Sequence, residues 1–180
     1  MNRQPVEARV SPLLTAEQIG ARVREIADRI SHDYAGGGLV VVGILKGAWV
    51  FLADLVRCLT IPVVVDFIAV SSYGSGTESS GAVNVMLRPS CPLEGQDVLV
   101  VDDILDTGLT LGLVLDKLRQ SHPRSLRLCV LLDKPARRRA DVEPDYVGFQ
   151  IPDRFVVGYG LDCGERFRNL PYLGFLAEVE

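Results

Sequence analysis

One stretch near the middle of the 180-residue chain, Asp97 to Leu111 (DVLVVDDILDTGLTL), constrains the fold more than any other. Its apolar run Val98-Leu99-Val100-Val101 is rich in β-branched residues and bounded by charge, the pattern of a buried parallel strand. The run leads straight into two adjacent carboxylates, Asp102 and Asp103. A short turn follows, Asp106-Thr107-Gly108-Leu109-Thr110, and then a helical pattern reaching roughly from Thr107 to Ser121. Strand, polar turn and helix N-terminus in that order make an anion cradle. Amides with no partner inside the helix point out of the turn, and the helix dipole favours negative charge there. Gly108 allows positive φ or close backbone approach, and the two threonine hydroxyls are spare donors. A phosphate is expected at Thr107 to Thr110, with the carboxylates beside it.

Other readings of the same residues exist. The acidic pair could be a solvated strand end, or the magnesium site of a response-regulator receiver. A receiver, however, carries that pair near its own N-terminus, and here about half the chain comes first. A nucleotide-triphosphate P-loop is excluded, because no G-x-x-x-x-G-K-[ST] occurs.

The chain is long enough for one domain with a full core, spanning 1–180, and 48% of it is apolar, which argues against general disorder. A net charge of −4 gives no global attraction to nucleic acid or anionic membrane. No apolar run approaches transmembrane length, and MNRQPVEARV lacks a signal-peptide core, so a cytoplasmic protein is expected. Cys58, Cys91, Cys129 and Cys163 form no C-x-x-C pair, so neither a zinc site nor a redox motif is suggested. His32 and His122 have no companion ligand and read as surface or capping residues.

Thr15-Ala16-Glu17-Gln18 fits a capping box, and Ile19, Val23, Ile26 and Ile30 recur at helical spacing to about Tyr34. Gly36-Gly37-Gly38 ends that helix. Leu39 to Leu45 reads as a buried strand, Lys46-Gly47 as its turn, Ala48 to Leu59 as a helix and Pro62 to Val70 as a strand. Ser71 to Gly81 (SSYGSGTESSG) cannot bury itself and reads as an exposed mobile loop. Ala82 to Leu87 reads as a strand, the hairpin partner of 62–70, Ser125 to Leu132 as another buried strand, and Tyr146 to Gln150 and Phe155 to Tyr159 as short strands. Asp162 to Glu180 reads as loop and terminal strand. Lys134 to Pro144, with Arg137-Arg138-Arg139, is read as a solvated face without a catalytic role. Strands alternating with helices predict an α/β fold, a parallel sheet flanked by helices, with ligands beyond the carboxyl ends of its strands. Lys46, the Asp102–Asp103 pair and Lys134 all fall there.

Val100 to Thr110 resembles the phosphoribosyl-pyrophosphate (PRPP) motif of the type I phosphoribosyltransferases: apolar strand, two acids, two apolar residues, Asp-Thr-Gly, then Thr. The remaining motifs, from about Leu13 to Leu176, narrow the resemblance to the hypoxanthine-guanine branch. That resemblance implies a small hood built from the chain ends and a flexible lid carrying a Ser-Tyr pair, here Ser72 and Tyr73. Lys46 and Gly47 would bind pyrophosphate through an unusual peptide geometry, though taken alone they are an ordinary strand-to-helix turn. Asp102 and Asp103 would hold the ribose hydroxyls and magnesium, with Asp162 adding to a magnesium site. Asp106, Thr107, Gly108, Leu109 and Thr110 would bind the 5′-phosphate, Asp106 also taking the proton from N7 of the purine. Lys134 would donate to the purine 6-oxo group, Phe155 would stack on the base, and Val156 and Asp162 would contribute backbone contacts. By themselves, Lys134 reads as a surface lysine and Phe155 as a core phenylalanine. Arg168 would neutralise pyrophosphate oxygens, as a planar donor fork suits. Three positions depart from the pattern: Asp102 for a frequent glutamate, Leu109 for lysine in some members, and Cys163 for a frequent aromatic.

Two functions of different class follow. The first is a magnesium-dependent transferase making IMP or GMP from PRPP and hypoxanthine or guanine, acting as a homodimer or homotetramer on small molecules, with no nucleic-acid or membrane partner. The second is a regulatory protein that keeps the PRPP fold and binds RNA or a repressor partner; it wants a basic face and has no need of Lys134 with Phe155.

Overall fold

A computed structural model describes residues 10–72 and 83–176. In chain order the elements are β1 (Val10–Leu14), α1 (Ala16–Asp33), β2 (Leu39–Leu45), α2 (Trp49–Cys58), β3 (Val63–Ser72), β4 (Val83–Leu87), β5 (Asp97–Leu105), α3 (Leu109–Arg119), β6 (Ser125–Asp133), a 3-10 turn (Pro135–Arg137), β7 (Tyr146–Gln150), β8 (Val156–Val157) and β9 (Leu173–Leu176).

A six-stranded sheet runs in the order β4-β3-β2-β5-β6-β7. Five of its strands are parallel, and β4 lies antiparallel on the β3 edge. The central strands β2, β5 and β6 are continuous apolar runs because both faces are covered. On one face Val41, Leu99, Val101 and Leu131 pack against Ile19, Ile26 and Ile30 of α1 and Phe51 and Leu55 of α2. On the other, Val40, Val42, Val98, Val100 and Val130 pack against Val114, Leu115 and Leu118 of α3. The side-chain period of two thus sends neighbouring valines of one strand into different cores.

The first helix forms as its sequence dictates. The Gln18 amide donates to Thr15 Oγ1 at 3.3 Å, the Thr15 amide donates back to Gln18 Oε1 at 2.8 Å, and Ile19, Val23, Ile26 and Ile30 are buried. Elsewhere the bounds differ. α3 starts at Leu109 rather than Thr107, because Gly108 takes φ +79 and caps the helix without a side-chain bond. β3 continues to Ser72, since Ser71 and Ser72 pair with Asn84 and Val83; the mobile-loop reading therefore fails for these two residues. The remainder of that stretch, including Tyr73 of the expected lid, lies outside the described residues. The strand expected over Phe155 to Tyr159 shrinks to Val156–Val157, because Gly158, Tyr159 and Gly160 all take positive φ.

A second sheet, ordered β1-β9-β8 and antiparallel, joins the two ends of the described chain, matching the hood that the resemblance implies. Its first strand was not anticipated. Cys129 is buried, and burial pushes its thiol up, as for a small core residue; all four cysteines are free. No described helix is long and apolar enough to cross a membrane.

Candidate active site

The carboxyl ends of β2, β5 and β6 lie side by side, and each strand delivers polar residues to that edge. β2 ends in Lys46-Gly47, and the Leu45–Lys46 peptide is cis, the unusual geometry expected there. β5 carries Asp102 and Asp103 and runs into Asp106 to Thr110. β6 ends at Asp133, followed by Lys134.

Gly47 is required by packing. A Cβ there would lie 1.7 Å from Asp103 Oδ2, and a Cβ at Gly160 would lie 2.2 Å from the Gly47 carbonyl oxygen. Three segments, after β2, along β5 and after β8, therefore meet at backbone distance. Around this junction Lys46 Nζ pairs with Glu165 Oε1 at 3.1 Å. Arg168 Nη2 reaches Asp162 Oδ1 at 2.8 Å and Glu165 Oε2 at 3.3 Å, while Nη1 donates to the Gly160 carbonyl at 2.8 Å. Arg168 Nε is buried with no acceptor among the described residues. The structure brings Lys46, Gly47, Asp103, Asp162 and Arg168 together here; the sequence reading did not include Glu165, which stands at φ +63 and lies 119 positions from its lysine partner.

Asp102 and Asp103 keep some solvent contact, but protein surrounds each on most sides. That desolvation pushes both carboxyls up; at Asp102 the neighbouring Asp103 charge adds to it, and at Asp103 the Arg168 charge opposes it. The pair is bonded to its own backbone: the Asp103 amide donates to Asp102 Oδ1 and the Ile104 amide to Asp103 Oδ1, each at 3.0 Å. No group of three or more His, Cys, Asp or Glu able to hold a metal occurs among the described residues. Two hard oxygen donors suit a magnesium ion that takes its remaining ligands from substrate phosphates and water.

The turn between β5 and α3 is braced by the segment that reads as a solvated face. The amides of Arg139 and Ala140 donate to the Thr107 carbonyl at 2.9 and 3.1 Å. Arg137 Nε donates to Asp106 Oδ1 at 2.8 Å, Arg137 Nη1 lies 3.4 Å from Asp153 Oδ2, and Arg138 pairs with the buried Asp133. The solvated-face reading therefore fails for Arg138, which is largely buried, whereas Arg137 is exposed as expected but engaged with two carboxylates. A run of arginines in an irregular segment carries no local sign of carboxylates brought up by distant strands. Thr107 is half-buried, and its Oγ1 accepts weakly from the Leu109 amide at 3.4 Å. Leu109 and Thr110 are exposed, so Leu109 offers only its backbone.

At the β6 end Lys134 is 6% exposed and Phe155 is 56% exposed, inverting the readings as a surface lysine and a core phenylalanine. The Lys134 amide donates to the Leu105 carbonyl at 2.9 Å, tying the two strand ends together, and its Nζ lies 3.9 Å from Asp153 Oδ1. Val156 beside Phe155 is buried.

Residues 10–163 match the phosphoribosyl transferase domain family. The chain is 49% identical to the hypoxanthine-guanine phosphoribosyltransferase of Mycobacterium avium over 92% of its own length and 85% of that protein. It is 51% identical to the enzyme of the same name from Aquifex aeolicus over 88% and 90%. A crystal structure of a hypoxanthine phosphoribosyltransferase from Staphylococcus aureus superposes with a TM-score of 0.93 at 44% identity, covering 98% of this chain and 96% of that one. With the motif edge, the sheet order and these likenesses in agreement, the chain belongs to the phosphoribosyltransferases, in their hypoxanthine-guanine branch.

Proposed function

We infer that the chain transfers the 5-phosphoribosyl group from PRPP to N9 of hypoxanthine or guanine, releasing pyrophosphate and giving IMP or GMP, a purine-salvage reaction. One observation carries this reading. The acidic pair, the Asp106–Thr110 turn at the start of α3 and the buried Lys134 stand at the ends of adjacent strands of one sheet. An anion cradle thus has an ammonium donor for a polar ring beside it.

The residue roles below are our own assignment. The amides and hydroxyls of Thr107 to Thr110 take the 5′-phosphate, and the carboxylates of Asp102 and Asp103 the ribose hydroxyls. The backbone at Lys46-Gly47 and the Arg168 guanidinium, whose buried Nε has no acceptor among the described residues, take pyrophosphate oxygens. Lys134 donates to the 6-oxo group, the exposed Phe155 ring offers its face to the base, and Val156 contributes backbone. Purine N9 attacks C1′ as the bond from C1′ to the pyrophosphate oxygen breaks, its electron pair leaving with pyrophosphate. The proton on N7 passes to the Asp106 carboxylate.

Magnesium, when bound, supplies charge neutralisation on the leaving pyrophosphate. Asp102 and Asp103 are the better candidates to hold it, because both oxygens of Asp162 already accept bonds, from Arg168 and from the Glu165 amide. We further propose that 1–180 acts as one unit in the cytoplasm as a homodimer or homotetramer. Trp49, 49% exposed at the start of α2, is apolar surface that a subunit contact would cover.

The rival reading, an RNA- or repressor-binding relative, gains nothing: Arg137 and Arg138 spend their guanidinium groups on Asp106, Asp153 and Asp133. The test is IMP, GMP or XMP formation from PRPP with hypoxanthine, guanine or xanthine in turn. Product with the first two supports the proposal, and no product with either overturns it.

A further inference from the structure

Four charged side chains stand in line at the purine end of the site. Lys134 Nζ lies 3.9 Å from Asp153 Oδ1, Asp153 Oδ2 lies 3.4 Å from Arg137 Nη1, and Arg137 Nε donates to Asp106 Oδ1 at 2.8 Å. The outer members carry the chemistry proposed above, the 6-oxo donor and the proton acceptor. The inner two, Asp153 and Arg137, have no part in it.

The line is held at its backbone. The Arg137 amide donates to the Lys134 carbonyl at 3.1 Å, closing the 3-10 turn. Two residues on, the Arg139 amide donates to the Thr107 carbonyl, next to Asp106, at 2.9 Å. Arg137 therefore leaves the chain midway between the turn that carries Asp106 and the strand end that carries Lys134.

The substrate explains why that matters. N7 and the 6-oxo group of a purine share one edge of the ring system. An acceptor for the N7 proton and a donor to the 6-oxo oxygen work together only at a fixed spacing. Asp106 is more than a third exposed on a short stem, and Arg137 is its one side-chain partner among the described residues. With Oδ1 engaged by Arg137, Oδ2 has no side-chain partner among the described residues.

We propose that Arg137 is a positioning residue. It orients the Asp106 carboxylate toward purine N7 and, through Asp153, sets the spacing between Asp106 and Lys134. The proposal rests on Asp106 as the N7 proton acceptor and Lys134 as the 6-oxo donor. The ion pairs of Arg137 are exposed, so the effect of replacing it on stability is small, and the predicted consequence is kinetic.

The experiment compares Arg137→Gln, Arg137→Lys, Asp153→Asn, Asp106→Asn and the double variant Asp106→Asn/Arg137→Gln. Each is measured for thermal midpoint, kcat of IMP formation, and KM for PRPP. Arg137→Gln is expected to melt like the parent and to lose about 10–100-fold in kcat, the scale of a misplaced catalytic group. Its KM for PRPP should stay within about twofold. Arg137→Lys should recover part of the loss, since it keeps the charge without the planar fork. Asp153→Asn should fall between Arg137→Gln and the parent. The double variant should be no slower than Asp106→Asn alone, because with the acceptor gone there is nothing left to position.

A parental kcat for Arg137→Gln beside a slow Asp106→Asn overturns the proposal and leaves the acceptor reading intact. A parental rate for Asp106→Asn removes the acceptor reading and the proposal with it. A raised KM for PRPP with unchanged kcat makes Arg137 a phosphate ligand instead, and additive losses in the double variant also overturn it.

Discussion

Replacing Gly47 with alanine tests the junction on which the proposed pyrophosphate end depends. The added methyl would sit 1.7 Å from Asp103 Oδ2 and 2.6 Å from Asp103 Cγ. A carbon–oxygen contact needs roughly 3.3 Å, so something must move by well over about 1 Å. Asp103 cannot simply turn aside, because its Oδ1 accepts from the Ile104 amide at 3.0 Å. Nor can the 46–47 backbone retreat freely, because Gly160 packs against the Gly47 carbonyl so closely that its own Cβ would stand 2.2 Å away. Overpacking of this kind costs about 1–3 kcal/mol. Displacing the carboxylate or the turn by about 1 Å should cost on the order of 100-fold in kcat/KM for PRPP. The assay pairs a thermal melt with steady-state kinetics in PRPP. Gly20→Ala in α1 is the control, since its Cβ would have Arg24 Nη1 as nearest atom at 3.6 Å. Alanine in a helix interior should stabilise that variant by about 0.5–1 kcal/mol, with parental kinetics. Parental melting and kinetics in Gly47→Ala would refute the packing argument outright.

Lys134→Met removes the donor while keeping much of the bulk. It should weaken hypoxanthine binding and cost about 1–3 kcal/mol in transition-state stabilisation, read as kcat/KM for the purine, with KM for PRPP nearly unchanged. Chelation of divalent cations should abolish turnover and added magnesium should restore it; activity that survives exhaustive chelation would count against the role given to Asp102 and Asp103. Asp66 offers a test of stability remote from the chemistry. Burial raises its carboxyl, but the amides of Cys91, Phe67 and Ser90 and the Ser90 hydroxyl outweigh burial and hold it far below the usual carboxylate range. A depressed folded-state pKa contributes stability above the unfolded value of about 3.9 and loses it as pH falls below that. Asp66→Ala should therefore lower the unfolding free energy at pH 7 by about 1–2 kcal/mol, and the gap to the parent should narrow in denaturant titrations below about pH 4.

What could be read in advance was what is local. α1 announces itself through a capping box and an apolar period, and the β5-to-α3 stretch through an apolar run, adjacent acids and Gly108, all within a few residues of one another. β1 had no such signal: Pro12 interrupts its five residues, and it is a strand only because β9 pairs with it from the other end of the described chain. The same physics governs the site. A carboxylate that ends a buried strand is conspicuous because burial makes charge costly there. An exposed charged side chain costs little wherever it falls, so its sequence context is silent about its partner. Glu165 and Arg137 are of this second kind, each engaged with a side chain that only the folded sheet brings near. Phe155 is subtler, since an isolated aromatic suits a core and an exposed ledge equally well until its burial is known. Groups that bear the cost of burial are thus legible one at a time, whereas groups that aim them become legible only in pairs. The measurement suited to the second kind is accordingly the double variant: neither Arg137→Gln nor Asp106→Asn alone shows that one group acts through the other, but their failure to add does.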